Sequence, residues 1–141
     1  MGIHTQVIDL GYRVRPQFVP FHTRKQRWAC LVAHRRAGKT VACIMDLVDA
    51  ALRCEKPNGR FAYVAPFYAQ AKDVAWSYLK QYTGAIPGVE VNESELRVDV
   101  PTAYGSRARI RLYGADNYER MRGIYLDGVI LDEYADMDPR A

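Results

Sequence analysis

The sequence has no uninterrupted apolar run near the roughly eighteen residues that a bilayer-crossing helix requires, so no membrane-spanning helix is expected. Its opening, Met1 to Leu10, lacks a basic stretch followed by an apolar one, and no secretory leader is expected. Cysteine is scarce and odd in number. Cys30, Cys43 and Cys54 lie far apart in apolar surroundings, which argues against a disulfide framework and for small buried thiols in a reducing compartment. No Cys/His pair has the spacing of a zinc site. There is no internal repeat and no low-complexity tract. What remains is an ordinary globular composition: 141 residues, 49% hydrophobic and 26% charged, enough for one domain around one core.

The net charge of +4 is modest, but its distribution is uneven. Arg13, Arg15, Arg24, Lys25, Arg27, Arg35 and Arg36 crowd the first third, whereas Asp127, Asp132, Glu133, Asp136 and Asp138 crowd the end. A basic segment suited to phosphates and an acidic segment suited to a cation are complementary halves of one site.

Residues 1–28 read as an irregular lead-in broken by Pro16 and Pro20. Ala29 to Ala33 is a short apolar run and a candidate buried strand. From Gly38 to about Cys54, apolar residues recur at helical spacing, and Lys56-Pro57-Asn58-Gly59 closes that helix. Phe61 to Ala65 is a second strand, and Ala69 to Tyr82 a second helix. Leu96, Val98 and Val100, then Ala108, Ile110 and Leu112, alternate with charged residues, so each segment is a half-exposed strand and the pair an antiparallel hairpin. Gly128 to Leu131 is a further buried strand. Strands alternating with helices predict an α/β fold with a parallel sheet flanked by helices and an inserted hairpin. Trp28 and Trp76 are expected to be packing residues. Arg107, Arg109 and Arg111 share one strand face, either as a solvated face balanced by Glu95 and Asp99 or, less favoured, as contacts to DNA phosphates.

Between the first strand and the first helix stands Ala33-His34-Arg35-Arg36-Ala37-Gly38-Lys39-Thr40. It fits the phosphate-loop pattern G-x-x-x-x-G-K-[ST], with alanine in the first position. The chemistry requires backbone N–H groups at a helix N-terminus around a phosphate. It also requires a glycine for close approach, a lysine for the β- and γ-phosphates, and a hydroxyl for magnesium. Gly38, Lys39 and Thr40 supply these. The later strand ends in Asp132-Glu133, where the first carboxylate can hold the magnesium shell and the second can polarise an attacking water. A strand running into a solvated acidic turn has the same pattern; the phosphate loop upstream, in the right order, favours the metal-and-base reading.

With both motifs in hand, the chain resembles the ATPase domain of tailed-phage terminase large subunits. The resemblance rests on Pro20-Phe21-His22, Arg27-Trp28, Val32 to Ala42, Tyr63-Val64-Ala65-Pro66, Gln70-Ala71-Lys72, Gly114, Arg122-Gly123 and Asp127 to Glu133. It spans about residues 20–138. It implies a P-loop fold of the RecA/ASCE type, with ATP and Mg2+ as cofactors. It implies ATP-binding roles for Ala33, His34, Arg35, Arg36, Ala37, Gly38, Lys39 and Thr40, with Arg35 beside the γ-phosphate. Phe21 and His22 occupy the adenine position, where many relatives have glutamine in place of His22. Thr40 and Asp132 are the implied metal residues, Glu133 the base, and Arg122, eleven positions before Glu133, an arginine finger acting on a neighbouring subunit.

The resemblance further implies double-stranded DNA, a terminase small subunit and a portal protein as partners, and a homo-oligomeric ring on the procapsid in the cytoplasm of a bacterial host. A complete family member continues with a coupling strand and a nuclease domain. Neither is found after Glu133, so residues 29–141 are expected to be a partial ATPase domain, incomplete at its C-terminus. The coupling strand of that fold lies between the phosphate-loop strand and the acidic strand, so a gap is expected there. A helicase-like ATPase of another role, or an ATP-binding or interaction module without turnover, are the competing readings.

Overall fold

The computed structural model describes residues 9–34 and 37–141. After a short helix α1 (Val19–His22), the long helix α2 (Lys39–Leu52) starts at the phosphate loop. Strand β1 (Gly59–Ala65) follows. A helical run then passes through α3 (Tyr68–Gln70), a π-helical turn (Ala71–Ala75) and α4 (Trp76–Thr83). Strands β2 (Glu90–Asn92), β3 (Arg97–Pro101), β4 (Arg107–Gly114) and β5 (Gly128–Leu131) complete one five-stranded sheet of order β2-β3-β4-β1-β5.

β1 lies between β4 and β5 and runs parallel to both, while β3 and then β2 extend the sheet beyond β4, each antiparallel to its neighbour. The expected parallel sheet with an inserted hairpin is therefore present. β2 is an addition to it; at three residues it is too short to show an alternation in the sequence. The core lies on the sheet face covered by α2 and α4, where Ile44, Val48, Leu79, Val98, Ile110 and Leu112 are buried together. The other face carries only a small cluster of Ala62, Val64, Tyr113 and Ala115. Burial of Val98 and Val100 beside half-exposed Arg97 and Asp99 is the period-two pattern realised on a sheet with one fully packed face.

Three expectations are corrected. Residues 29–34 form no strand, and Val32 is 90% exposed. A strand is defined by its ladder, and both sides of β1 are already taken by β4 and β5. No described strand pairs with the outer edge of β5, so nothing bridges to residues 29–34, and their apolar side chains stay outside the main core. Leu31 and Ala33 pack only against the small cluster of Phe18, Ala37 and Ala42. Trp28 is likewise no packing residue, being 78% exposed, because it belongs to this displaced segment; Trp76 is buried as expected. Of the cysteines, only Cys43 is buried, and Cys30, in the displaced segment, is exposed.

The entry to β5 is fixed by Asp127. Its backbone N–H donates to the Arg60 carbonyl (2.7 Å), its carboxylate accepts from the Arg60 N–H (2.9 Å), and Lys56 Nζ donates to it (3.0 Å). Burial opposes ionisation of this carboxyl, but the Arg60 N–H and the Lys56 ammonium outweigh it and hold its pKa below the usual value. A depressed folded pKa means stability that is present above the unfolded pKa and lost as pH falls through the folded one. Asp127→Ala is expected to cost about 1–3 kcal/mol at neutral pH. The difference from the parent should shrink below about pH 4, as measured by urea denaturation across pH. A pH-independent difference would contradict the assignment.

Candidate nucleotide site

The phosphate loop turns into α2 at Gly38, whose φ of +90° is a left-handed conformation that favours glycine. A Cβ there would also press on the Arg15 guanidinium, 3.2 Å away. Arg15 Nη1 donates to the Ala37 carbonyl at 2.7 Å, so a lead-in residue that no motif singled out is fastened to the loop. His34 and Ala37 are joined by a backbone turn of 3.3 Å. Arg35 and Arg36 lie outside the described residues. Lys39 and Thr40 are the first two residues of α2, at its dipole-positive end.

On the other side of the site, the Asp132 N–H donates to the Val64 carbonyl (2.9 Å), which carries the β1–β5 ladder one step past β5 and fixes where its carboxylate emerges. The two halves meet at Tyr63 of β1. Its hydroxyl donates a hydrogen bond to Asp132 Oδ2, and the Thr40 side chain adjoins it. Burial, then the Asp132 hydrogen bond and charge, push the Tyr63 pKa well above its usual value, so the phenol stays protonated. Cys43, one turn along α2 from Lys39, lies within electrostatic reach of Asp132, Asp46 and Lys39. Burial, aided by the two carboxylates and opposed by Lys39 and Arg24, pushes its thiol up to about 12. Thiolate is the reactive form, so Cys43 is chemically inert at neutral pH and serves as packing beneath the site.

Glu133 follows Asp132 with φ of +52°, a left-handed conformation unusual for a non-glycine residue, and its side chain is exposed. It opens the 3-10 turn Tyr134–Asp136, whose Asp136 N–H returns to the Glu133 carbonyl at 2.9 Å. Arg122 stands at the end of the 3-10 segment Ala115–Met121, beside Glu119 (3.5 Å).

Phe21 and His22 close α1. Both ring nitrogens of His22 are engaged within the chain, Nε2 with the Tyr12 hydroxyl (2.9 Å) and Nδ1 with Asp46 (3.3 Å). Arg24 grips the same Asp46 with two hydrogen bonds of 3.0 Å and covers the Phe21 ring at 4.5 Å. Asp46 therefore ties His22 and Arg24 to α2. Lys39, Cys43 and Asp46 recur at helical spacing, a signal legible in the sequence but masked by the apolar stripe of the same helix.

The arginine face of β4 is largely neutralised. Arg109 and Arg97 both pair with Asp99 (2.9 and 3.0 Å), and Arg107 approaches Glu90 at 3.7 Å. Arg111 lies over the Tyr113 ring at 5.2 Å. A cleft of about 250 Å³ opens on this face, away from the phosphate loop, lined by Arg60, Arg109, Arg111, Tyr113 and Tyr125 among others.

A strand with parallel neighbours on both sides, a glycine-capped helix carrying Lys39 and Thr40, and an acidic residue at the end of the adjoining strand define a P-loop α/β domain. Among solved structures, the chain is similar to the ATPase domain of the large terminase of Thermus phage P74-26, with 25% identity and a TM-score of 0.70. That match covers 92% of this chain and 57% of that one, so the chain spans little more than half of that domain. The fold is shared with the large terminase of a second thermophilic bacteriophage, in complex with ADP (23% identity, TM-score 0.61, 75% of this chain and 26% of that one). It is also shared with the complex of that second terminase with ATP-gamma-S (19% identity, TM-score 0.58, 75% of this chain and 25% of that one). No family model and no curated protein matches the chain. In fold and in motif order, then, the chain resembles phage large-terminase ATPase domains.

Proposed function

We propose that the chain is the nucleotide-binding part of an ATP-hydrolysing motor of the phage large-terminase type, which drives double-stranded DNA into a procapsid. The observation that carries this reading is the Tyr63–Asp132 hydrogen bond at the end of β5, beside the helix end that carries Lys39 and Thr40. Motifs far apart in sequence thereby become one site. In this reading Lys39 holds the β- and γ-phosphates, assisted by loop N–H groups and Arg35. Phe21 and His22 take the adenine, with His22 exchanging its Asp46 or Tyr12 contact for the base. Glu133 removes a proton from the attacking water. Arg122 serves the site of a neighbouring subunit.

Thr40 and Asp132 offer the oxygen donors that suit Mg2+, which would neutralise phosphate charge when bound. The second phage's terminase is known with ADP and with ATP-gamma-S, which supports the same ligand class here. DNA, a small subunit, a portal and a ring of like subunits in the host cytoplasm are the partners and setting this function requires. A second reading, an ATP-binding module without turnover of its own, is favoured by the displacement of residues 29–34 from the sheet, because the loop then lacks a rigid strand behind it.

Phosphate release from Mg-ATP, with and without double-stranded DNA, separates these readings. The motor reading expects release that DNA stimulates and that rises with protein concentration. ATP binding with no release at any concentration would select the second reading. Release indifferent to DNA would remove the translocation role while leaving an ATPase.

A further inference from the structure

Tyr63 is 2% exposed, and a buried phenol must find partners for its hydroxyl. It finds one at the nucleotide site. A phenol has a single proton, and Tyr63 gives it to Asp132 Oδ2. That hydrogen bond joins β1 to the residue that follows β5, and the Thr40 side chain of α2 adjoins the phenol.

We propose that Tyr63 is a positioning residue for the metal side of the site, orienting Asp132 as an oxygen ligand for a divalent cation; this rests on the nucleotide-site reading above. Anchoring Oδ2 of Asp132 stops the carboxylate from rotating and leaves Oδ1 for a cation or its water shell. Such partners one step behind the ligands commonly control metal affinity by about 10–100-fold. Removing the phenol oxygen lets Asp132 swing. Lys39, which meets phosphate directly, is untouched by the change.

The test is Tyr63→Phe in the full chain, which keeps the ring in the core. A fluorescent ATP analogue is titrated over a range of Mg2+ concentrations and again in EDTA, and bound Mn2+ is counted independently by electron paramagnetic resonance. The expected result is a half-saturating Mg2+ concentration raised by about 10–100-fold, with metal-free nucleotide affinity changed by less than about twofold. On an Asp132→Ala background, Tyr63→Phe should add almost nothing to the metal effect, because the carboxylate that the phenol anchors is gone.

A second readout needs no variant. The Tyr63 hydroxyl proton, held on Asp132, should give a downfield proton resonance that shifts when Mg2+ is added to the nucleotide-loaded chain. An unchanged Mg2+ midpoint in Tyr63→Phe, equal losses with and without metal, or a hydroxyl resonance indifferent to Mg2+ would overturn the proposal. These outcomes leave nucleotide binding by the parent intact, whereas a parent chain that binds no nucleotide would remove the nucleotide-site reading and this proposal with it.

Discussion

Arg122→Ala is expected to lower ATP turnover by about 10³–10⁵-fold in assembled protein while leaving ATP affinity nearly unchanged, if the arginine finger acts between subunits. The Arg122 side chain is 77% exposed, and its ion pair is with an exposed Glu119 side chain three residues earlier, an exchangeable contact on the surface. Its backbone is extended (φ −67°, ψ 137°) and Gly123 after it has φ of +75°, so the guanidinium is carried on a turn rather than packed into the sheet. A side chain so placed is available to a neighbouring subunit. Mixing provides the check. Arg122→Ala subunits lack the finger but keep the base, and Glu133→Gln subunits keep the finger but lack the base. Mixed assemblies contain interfaces with both, so phosphate release should partly return. Assemblies shown to be mixed that stay inactive at every ratio would exclude the trans role.

Glu133→Gln should trap ATP, with turnover reduced by about 10²–10⁴-fold and binding preserved. Gln keeps the shape and one acceptor but cannot take a proton. Glu133 is held at φ +52°, a left-handed conformation that turns the chain sharply after Asp132 and sets where the Glu133 side chain leaves the sheet end. Asp132 and Glu133 are thereby separated. One faces Tyr63 inside the sheet end, and the other projects into solvent at the start of the following turn. Asp132 variants should weaken metal-dependent binding, and Glu133 variants the rate. Normal phosphate release by Glu133→Gln would remove it as the base.

The motifs were legible because each is a local pattern with a chemical reason. Gly38 is needed at a left-handed helix cap, Lys39 and Thr40 begin a helix, and Asp132 ends a strand. The alternation around Val98 and Ile110 likewise announced half-exposed strands, and their arginines and carboxylates pair as alternation allows. What the sequence did not show is what depends on partners distant in the chain. Ala29 to Ala33 has the composition of a strand, but composition cannot supply a neighbouring ladder, and the segment stands outside the sheet. Tyr63 read as a strand residue and as part of the motif Tyr63-Val64-Ala65-Pro66, and only the fold brings Asp132 to its hydroxyl. Asp46 and Arg15 were hidden for the same reason: their roles are to tie the lead-in to α2 and to the loop.

Whether the loop before α2 binds nucleotide phosphate is decided by equilibrium binding of ATP to the chain and to Lys39→Ala, in EDTA and in Mg2+. The parent should bind ATP, more tightly with Mg2+, and Lys39→Ala should lose most of that affinity while its circular dichroism and melting remain those of the parent. A folded Lys39→Ala chain that binds ATP as the parent does, with the same response to Mg2+, would exclude this loop as the phosphate site.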